Sequence, residues 1–148
     1  MHVTETTNKK DIRKVLCHPD IYDVINGDGS PDIAEFEVPI NEDIEYIAGY
    51  EKDDIIGLMI YHTINDFVEC HIQVLPEYRQ EYAKEFARIA LQVDKYRARD
   101  LYAEIPEIYK NVIDFAESFG FVRVKTIKDE YIKNGLKYDV HRYRLKNG

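Results

Sequence analysis

Apolar residues along this chain follow two rhythms, and one changes to the other at Pro76. Over Phe67–Val74, Val68, Cys70, Ile72 and Val74 alternate with Glu69, His71 and Gln73. That is the period of a strand with one apolar and one polar face. Pro76 ends the run because proline donates no ladder hydrogen bond. From Tyr82 the spacing widens to Tyr82, Phe86, Ile89, Val93 and Tyr96, the stripe of an amphipathic helix, which predicts a helix over 79–96. A strand passing through P-E-Y-R-Q-E into a helix leaves free amides and the positive dipole end at the joint, an arrangement suited to a phosphate.

The rest of the chain reads in the same way. Asn8, with Asp11 three residues on, opens a helix whose inner face is Ile12, Val15 and Leu16. His18-Pro19 interrupts it, a short helical piece follows over 20–26, and Gly27 is placed as its C-cap. Two strands, 45–51 and 55–64, precede Phe67–Val74, and the short joints between them predict an antiparallel meander. Leu101 to Ile105 reads as a short buried strand. Pro106 is placed as the first residue of a second long helix, with Ile108, Val112, Phe115 and Phe119 inward and Gly120 at its end. A strand over 121–127 leads to a hairpin at Asn134-Gly135, a strong two-residue turn signal, after which Leu136, Tyr138 and Val140 alternate. The expected fold class is α/β (α+β), a mixed and mostly antiparallel sheet of six to seven strands flanked by helices on both faces. No linker or repeat divides the 148 residues, so one domain, 1–148, is expected.

Composition narrows the chemistry. The chain has 20 basic and 28 acidic residues, a net charge of -8, which argues against nucleic acid and anionic membranes as partners. The basic residues Arg88, Lys95, Arg97 and Arg99 are interleaved with Glu85, Asp94 and Asp100, as on a solvated helix face. Cys17 and Cys70 have no metal-ligand spacing, and Cys70 falls on an apolar strand face, where a buried reduced thiol is expected. His2, His18, His62 and His141 are scattered, and no metal site is expected. The first residues lack an apolar signal core and the longest apolar run, from Ile55, contains Gly57. A cytoplasmic location is the expectation.

V-L-P-E-Y-R, then F-A-E-S-F-G-F at 115–121, then K-Y-D-V-H-R-Y-R-L near the end, in this order of elements, resemble the GNAT superfamily of acyl-CoA N-acyltransferases. Val74, Pro76, Tyr78 and Arg79 match the family's strand-end motif. Gln80, Tyr82 and Lys84 stand where its small residues usually lie. The resemblance implies acetyl-CoA (coenzyme A) as cofactor. Its pantetheine arm would lie in a slot where the fourth strand bulges and splays from the fifth, along Gln73, Val74 and Leu75. Its pyrophosphate would rest on the turn at Arg79, Gln80, Glu81, Tyr82, Ala83 and Lys84, with Asn111 near the family's usual asparagine.

In this family an amine attacks the thioester directly. An alkylammonium has a reference pKa of about 10.4, so it needs a base. Glu69 and His71, on the polar strand face, are the candidates. The family's thiolate-protonating tyrosine falls at Ala116 here, and Tyr109 or Tyr102 could take its place. The resemblance thus implies an N-acyltransferase acting on a small-molecule or protein amine, bound between the first helices and the polar strand face. Asp20, Asp23, Asp28 and Asp32 would favour a cation there. The alternative is a catalytically inactive relative that works by binding a partner. The segment H-P-D-I-Y-D-V-I is similar to small GNAT-like proteins of tailed phages, some tied to virion assembly. An unrelated α+β binding module is a third reading, and a monomer or homodimer is expected.

Overall fold

A computed structural model describes residues 1–147. In chain order the strands are β1 (His2–Thr6), β2 (Ile44–Glu51), β3 (Asp54–Ile64), β4 (Phe67–Val74), β5 (Leu101–Pro106), β6 (Val122–Lys133) and β7 (Leu136–Leu145). The helices are α1 (Lys9–Leu16), α2 (Pro19–Ile25), α3 (Arg79–Ala90) and α4 (Lys110–Ser118). The strands form one seven-stranded sheet in the order β1-β2-β3-β4-β5-β7-β6. Every neighbouring pair is antiparallel except β4 and β5, which run parallel.

Strand alternation divides the interior into two apolar clusters, one per face. Ile12, Val15, Leu16 and Ile21 of α1 and α2 pack with Tyr46, Ala48 and Leu58. On the other face Phe86 and Ala90 of α3 pack with Ile47, Met59, Tyr61, Val68, Cys70, Leu101 and Tyr143. Helices therefore cover both faces, as the sequence predicts. The Asn8 cap is present, its side chain accepting from the Asp11 amide at 3.1 Å. Asn134 and Gly135 adopt positive φ of 53° and 77°, which a tight hairpin turn demands.

Four details depart from the sequence reading. Strand β1 was not predicted. It carries one apolar residue, Val3, and lies at the sheet edge, so it has too little buried face to impose alternation. Helix α3 ends at Ala90 rather than continuing to Tyr96. Tyr96 is nonetheless buried, because its ring stacks on Tyr61 at 3.8 Å and its hydroxyl donates to Glu45 at 2.7 Å. Pro106 closes β5 opposite Val140 instead of opening a helix, and α4 begins at Lys110. The inner face of α4 shifts accordingly to Tyr109, Ile113, Ala116 and Phe119, leaving Ile108 and Val112 exposed. Finally, Asn26 rather than Gly27 caps α2. Gly27 is needed for close approach: a Cβ there would stand 2.7 Å from the Ile132 carbonyl oxygen.

That approach belongs to a clamp between the loop after α2 and the tip of the β6–β7 hairpin. The Asp28 carboxylate accepts the amides of Asn134 and Gly135 at 3.0 and 2.8 Å. Lys133 reaches Asp23 and the Asn26 carbonyl, both at 3.0 Å. The Gly135 and Asn134 amides hold the Asp28 carboxyl below its ordinary value. A depressed carboxyl pKa stabilises above the unfolded value, and the effect is lost as pH falls through the folded one. Amide exchange at Asn134 and Gly135, compared with neighbouring hairpin amides, is therefore expected to lose protection only as pH falls below the ordinary aspartate range. In Asp28→Ala the protection is expected to be absent at neutral pH as well.

Candidate active site

β4 and β5 touch at their start and then part. Only Val68↔Leu101 and Glu69↔Tyr102 are paired. Beyond Glu69 the β5-facing edge of β4, residues 70–74, has no strand partner, while its other edge stays paired with β3 to Gly57↔Val74. The β3–β4 register runs without a shift, so the fourth strand splays but does not bulge. β5 is held away by its full pairing with β7, from Leu101↔Leu145 to Pro106↔Val140. A wedge results, open toward the ends of β4 and β5 from which the chain enters α3 and α4. An unpaired main-chain edge inside a sheet is a ready partner for an extended ligand.

Three charged side chains and a histidine gather where the wedge begins, on the sheet face shared with α1 and α2. Glu69 and His71 project from β4, with His71 Nε2 lying 3.8 Å from Glu69 Oε2. From β7, Arg142 reaches toward Glu69 at 3.9 Å and toward Glu104 of β5 at 3.7 Å. The guanidinium lies over the rings of Phe67 and Tyr102, at 5.1 and 5.7 Å from their centres, and its buried Nε has no hydrogen-bond partner. Both carboxylate distances exceed hydrogen-bond length, so charge and ring contacts hold Arg142, and the carboxyl oxygens keep capacity for another donor.

The two carboxyl groups are driven apart in acidity. His71 first, with Glu104 and Arg142 assisting, holds Glu69 below the ordinary carboxylate range against the opposing effect of burial. Burial first, then the Glu69 charge, raises Glu104, and Arg142 only partly offsets this. Adjacent acids with opposite shifts are a recurrent acid–base arrangement. Cys70, next in the strand, points into the other face, and burial pushes its thiol up to about 12. It is not a nucleophile at neutral pH.

At the strand end, Val74 and Leu75 are buried, and the Leu75 amide is bonded to the Ile56 carbonyl at 2.9 Å. Arg79 folds back so that its Nε donates to the Val74 carbonyl at 2.9 Å. A single 3-10 turn, Pro76–Tyr78, leads into α3, whose start has no side-chain cap. Gln80, Glu81 and Lys84 are exposed, and Ala83 packs on the core. Tyr82 leans on Tyr78 at 6.0 Å, and its phenol is raised by partial burial and then by Glu51 and Glu81. Because Glu51 ends β2, across β3 from the wedge, the large side chain at this glycine position does not fill the opening. Further along α3, Lys84 and Arg88 line a shallow groove of about 320 Å³ closed on its α4 side by Ser118 and Phe119.

The remaining candidates lie apart from the charged cluster. The Tyr109 hydroxyl is paired with that of Tyr131 at 2.7 Å. Asn111 is exposed on the first turn of α4, and Ala116 packs inward on the core. Sequence reasoning missed Glu104 and Arg142, while Arg88 is exposed on α3 as on the solvated helix face expected for it. An acid inside the short buried run L-Y-A-E-I was the available signal for Glu104. Among the described residues no cluster of three or more His, Cys, Asp or Glu could hold a metal ion, and no helix is long and apolar enough to cross a membrane.

No protein-family model matches the chain, and no curated protein matches it. Solved structures do. The ribosomal-protein-S18-alanine N-acetyltransferase of Escherichia coli superposes with a TM-score of 0.74 at 14% identity, over 99% of this chain and 94% of that one. An N-acetyltransferase of Staphylococcus aureus gives 0.72 at 16% identity, over 99% and 98%. A protein of Streptococcus mutans gives 0.78 at 14% identity over the whole of both chains. At such identities it is the architecture that is common to them, and this chain has the GNAT acetyltransferase fold.

Proposed function

We propose that the protein is an N-acyltransferase that uses acetyl-CoA and acylates an amine by direct transfer. One observation carries this reading: the β4–β5 wedge begins at Glu69, a carboxyl that His71 holds below the ordinary carboxylate range. The fold shared with N-acetyltransferases supports it. The open edge of β4 at Gln73 and Val74 would hold an extended pantetheine arm. The uncapped start of α3, with Arg79, Gln80 and Lys84 around it, offers amides and positive charge to phosphates. When bound, acetyl-CoA supplies an acyl group already activated as a thioester.

The chain's own residues handle the acceptor. An ammonium approaching from the α1–α2 side meets two carboxyl groups, Glu69 and Glu104, and loses a proton to Glu69 Oε, with His71 beside it to pass the proton to solvent. Asp23 of α2 and Asp28 of the loop after it, both held to the β6–β7 hairpin, add negative charge that would suit a cationic small molecule or protein amine. Both cysteines are free, in keeping with a reducing, cytoplasmic setting.

Thermal unfolding with and without acetyl-CoA tests the reading. At a hundredfold excess over Kd the folded state gains about 2.7 kcal/mol, a rise in Tm of roughly 5–10 °C. Lys84→Glu with Arg88→Glu is expected to reduce the rise. No rise at millimolar acetyl-CoA sinks the proposal and leaves a protein that works by binding a partner.

A further inference from the structure

We propose that Glu69 and Glu104 hold one proton between them and divide the two proton transfers of the reaction, Glu69 as acceptor from the amine and Glu104 as donor to the departing sulfur. This rests on the N-acyltransferase reading above and assigns a catalytic residue that the sequence did not reveal. The geometry is specific. Glu69 stands at the last paired position of the wedge, opposite Tyr102, and Glu104 stands two residues farther along β5, on the wall facing the open edge of β4. Both project to one face, because Tyr102 and Glu104 share the strand side that meets Glu69.

The groups around the pair allow one negative charge but oppose two. Arg142 of β7 supplies one positive charge, at 3.9 and 3.7 Å. His71 adjoins Glu69 on β4, and His62 of β3 faces Glu69 in register. Burial first and then the Glu69 charge raise the Glu104 carboxyl, and Glu130 of β6 adds a smaller repulsion, so Glu104 is the member of the pair that favours the proton. Of the other candidates, Ala116 stands in the tyrosine position, Tyr109 is bonded to Tyr131 and the Cys70 thiol is buried in the opposite face. Tyr102, opposite Glu69, has its ring under the Arg142 guanidinium.

The step balances. Glu69 takes one proton from the ammonium, and the freed nitrogen lone pair forms the C–N bond. The C–S bond breaks with its electron pair going to sulfur, which receives the Glu104 proton. The second surplus nitrogen proton leaves to water. The Glu69 proton then crosses to Glu104, and the pair returns to its starting state.

Carbon-13 NMR of the glutamate carboxyls in the ligand-free protein tests the pair without reference to turnover. Two linked steps separated by more than about one pH unit are expected, since coupled acids titrate as a pair. In Glu69→Gln the Glu104 midpoint is expected to fall, keeping the part of its rise that burial causes. Two independent titrations at ordinary values overturn the proposal. With acetyl-CoA and a reactive amine, Glu104→Gln is expected to lower kcat about a hundred- to ten-thousand-fold and to remove the alkaline limb of its pH profile. Wild-type kcat in that variant overturns the donor role even where the titrations are linked. Failure of acetyl-CoA to bind is a separate result, and it removes the N-acyltransferase reading itself.

Discussion

Glu69→Gln is expected to lower kcat/KM about a hundred- to ten-thousand-fold while the protein stays folded. The substitution keeps the size of the side chain and removes the carboxylate at the start of the wedge, so an ammonium loses its nearest proton acceptor. Steady-state rates across pH, with circular dichroism of the same samples, make the check. A variant that keeps wild-type rates places the base elsewhere. The acid limb is informative as well. Glu69 is held below the ordinary carboxylate range, so the wild-type rate should persist to lower pH than an unperturbed glutamate allows. Its effect on stability has the matching sign, present above the unfolded pKa and lost as pH falls through the folded one. Glu104 acts oppositely, its raised carboxyl favouring the fold at low pH and less as pH rises through the folded value.

Phe86→Ala is expected to cost about 3–5 kcal/mol, the range for emptying a buried aromatic site, and to lower Tm by roughly 10 °C. Phe86 is fully buried, and its ring lies where Gly49 leaves room: a Cβ on that glycine would stand 2.8 Å from it. Ring and glycine together seat α3 on the sheet, and the start of α3 is where phosphates are expected. Acetyl-CoA should therefore stabilise this variant less than the wild type. Urea unfolding should show a lower midpoint at unchanged slope, while Glu85→Ala, the exposed neighbour, should change stability by less than about 0.5 kcal/mol. A small effect at Phe86 would mean that α3 is held by its ends.

Elements with a buried face were legible in the sequence, because burial writes a period. Val68, Cys70, Ile72 and Val74 announce β4, and Ile12, Val15 and Leu16 announce α1, and both stand where expected. β1 has little buried face, so it left no pattern. Tyr96 continues a helical spacing although α3 has ended, since stacking on Tyr61 buries it by another route. Glu69 and His71 were visible as the polar half of an alternation. Glu104 and Arg142 were not, because strand neighbours distant in sequence bring them in: β7 inserts between β5 and β6 and sets Arg142 opposite Glu104. The glycine pattern of the turn fell short in a different way. It did not say where the large Tyr82 would go, and that side chain lies near Glu51 and Glu81.

Two residue pairs are all the backbone pairing that joins β1–β4 to β5–β7. Across that seam, one face is tied by the apolar packing of Val68, Cys70, Leu101 and Tyr143, and the other by Glu69, Glu104 and Arg142. Farther out, the clamp from Asp23 and Asp28 to the β6–β7 hairpin ties the same two parts. Spreading the half-sheets changes the distance between the two acids, and moving their proton changes how strongly the half-sheets attract. On the proposed sharing of a proton, aperture and protonation are linked reciprocally, and a molecule that pries the seam open would also reset the acidity of the groups waiting beside it.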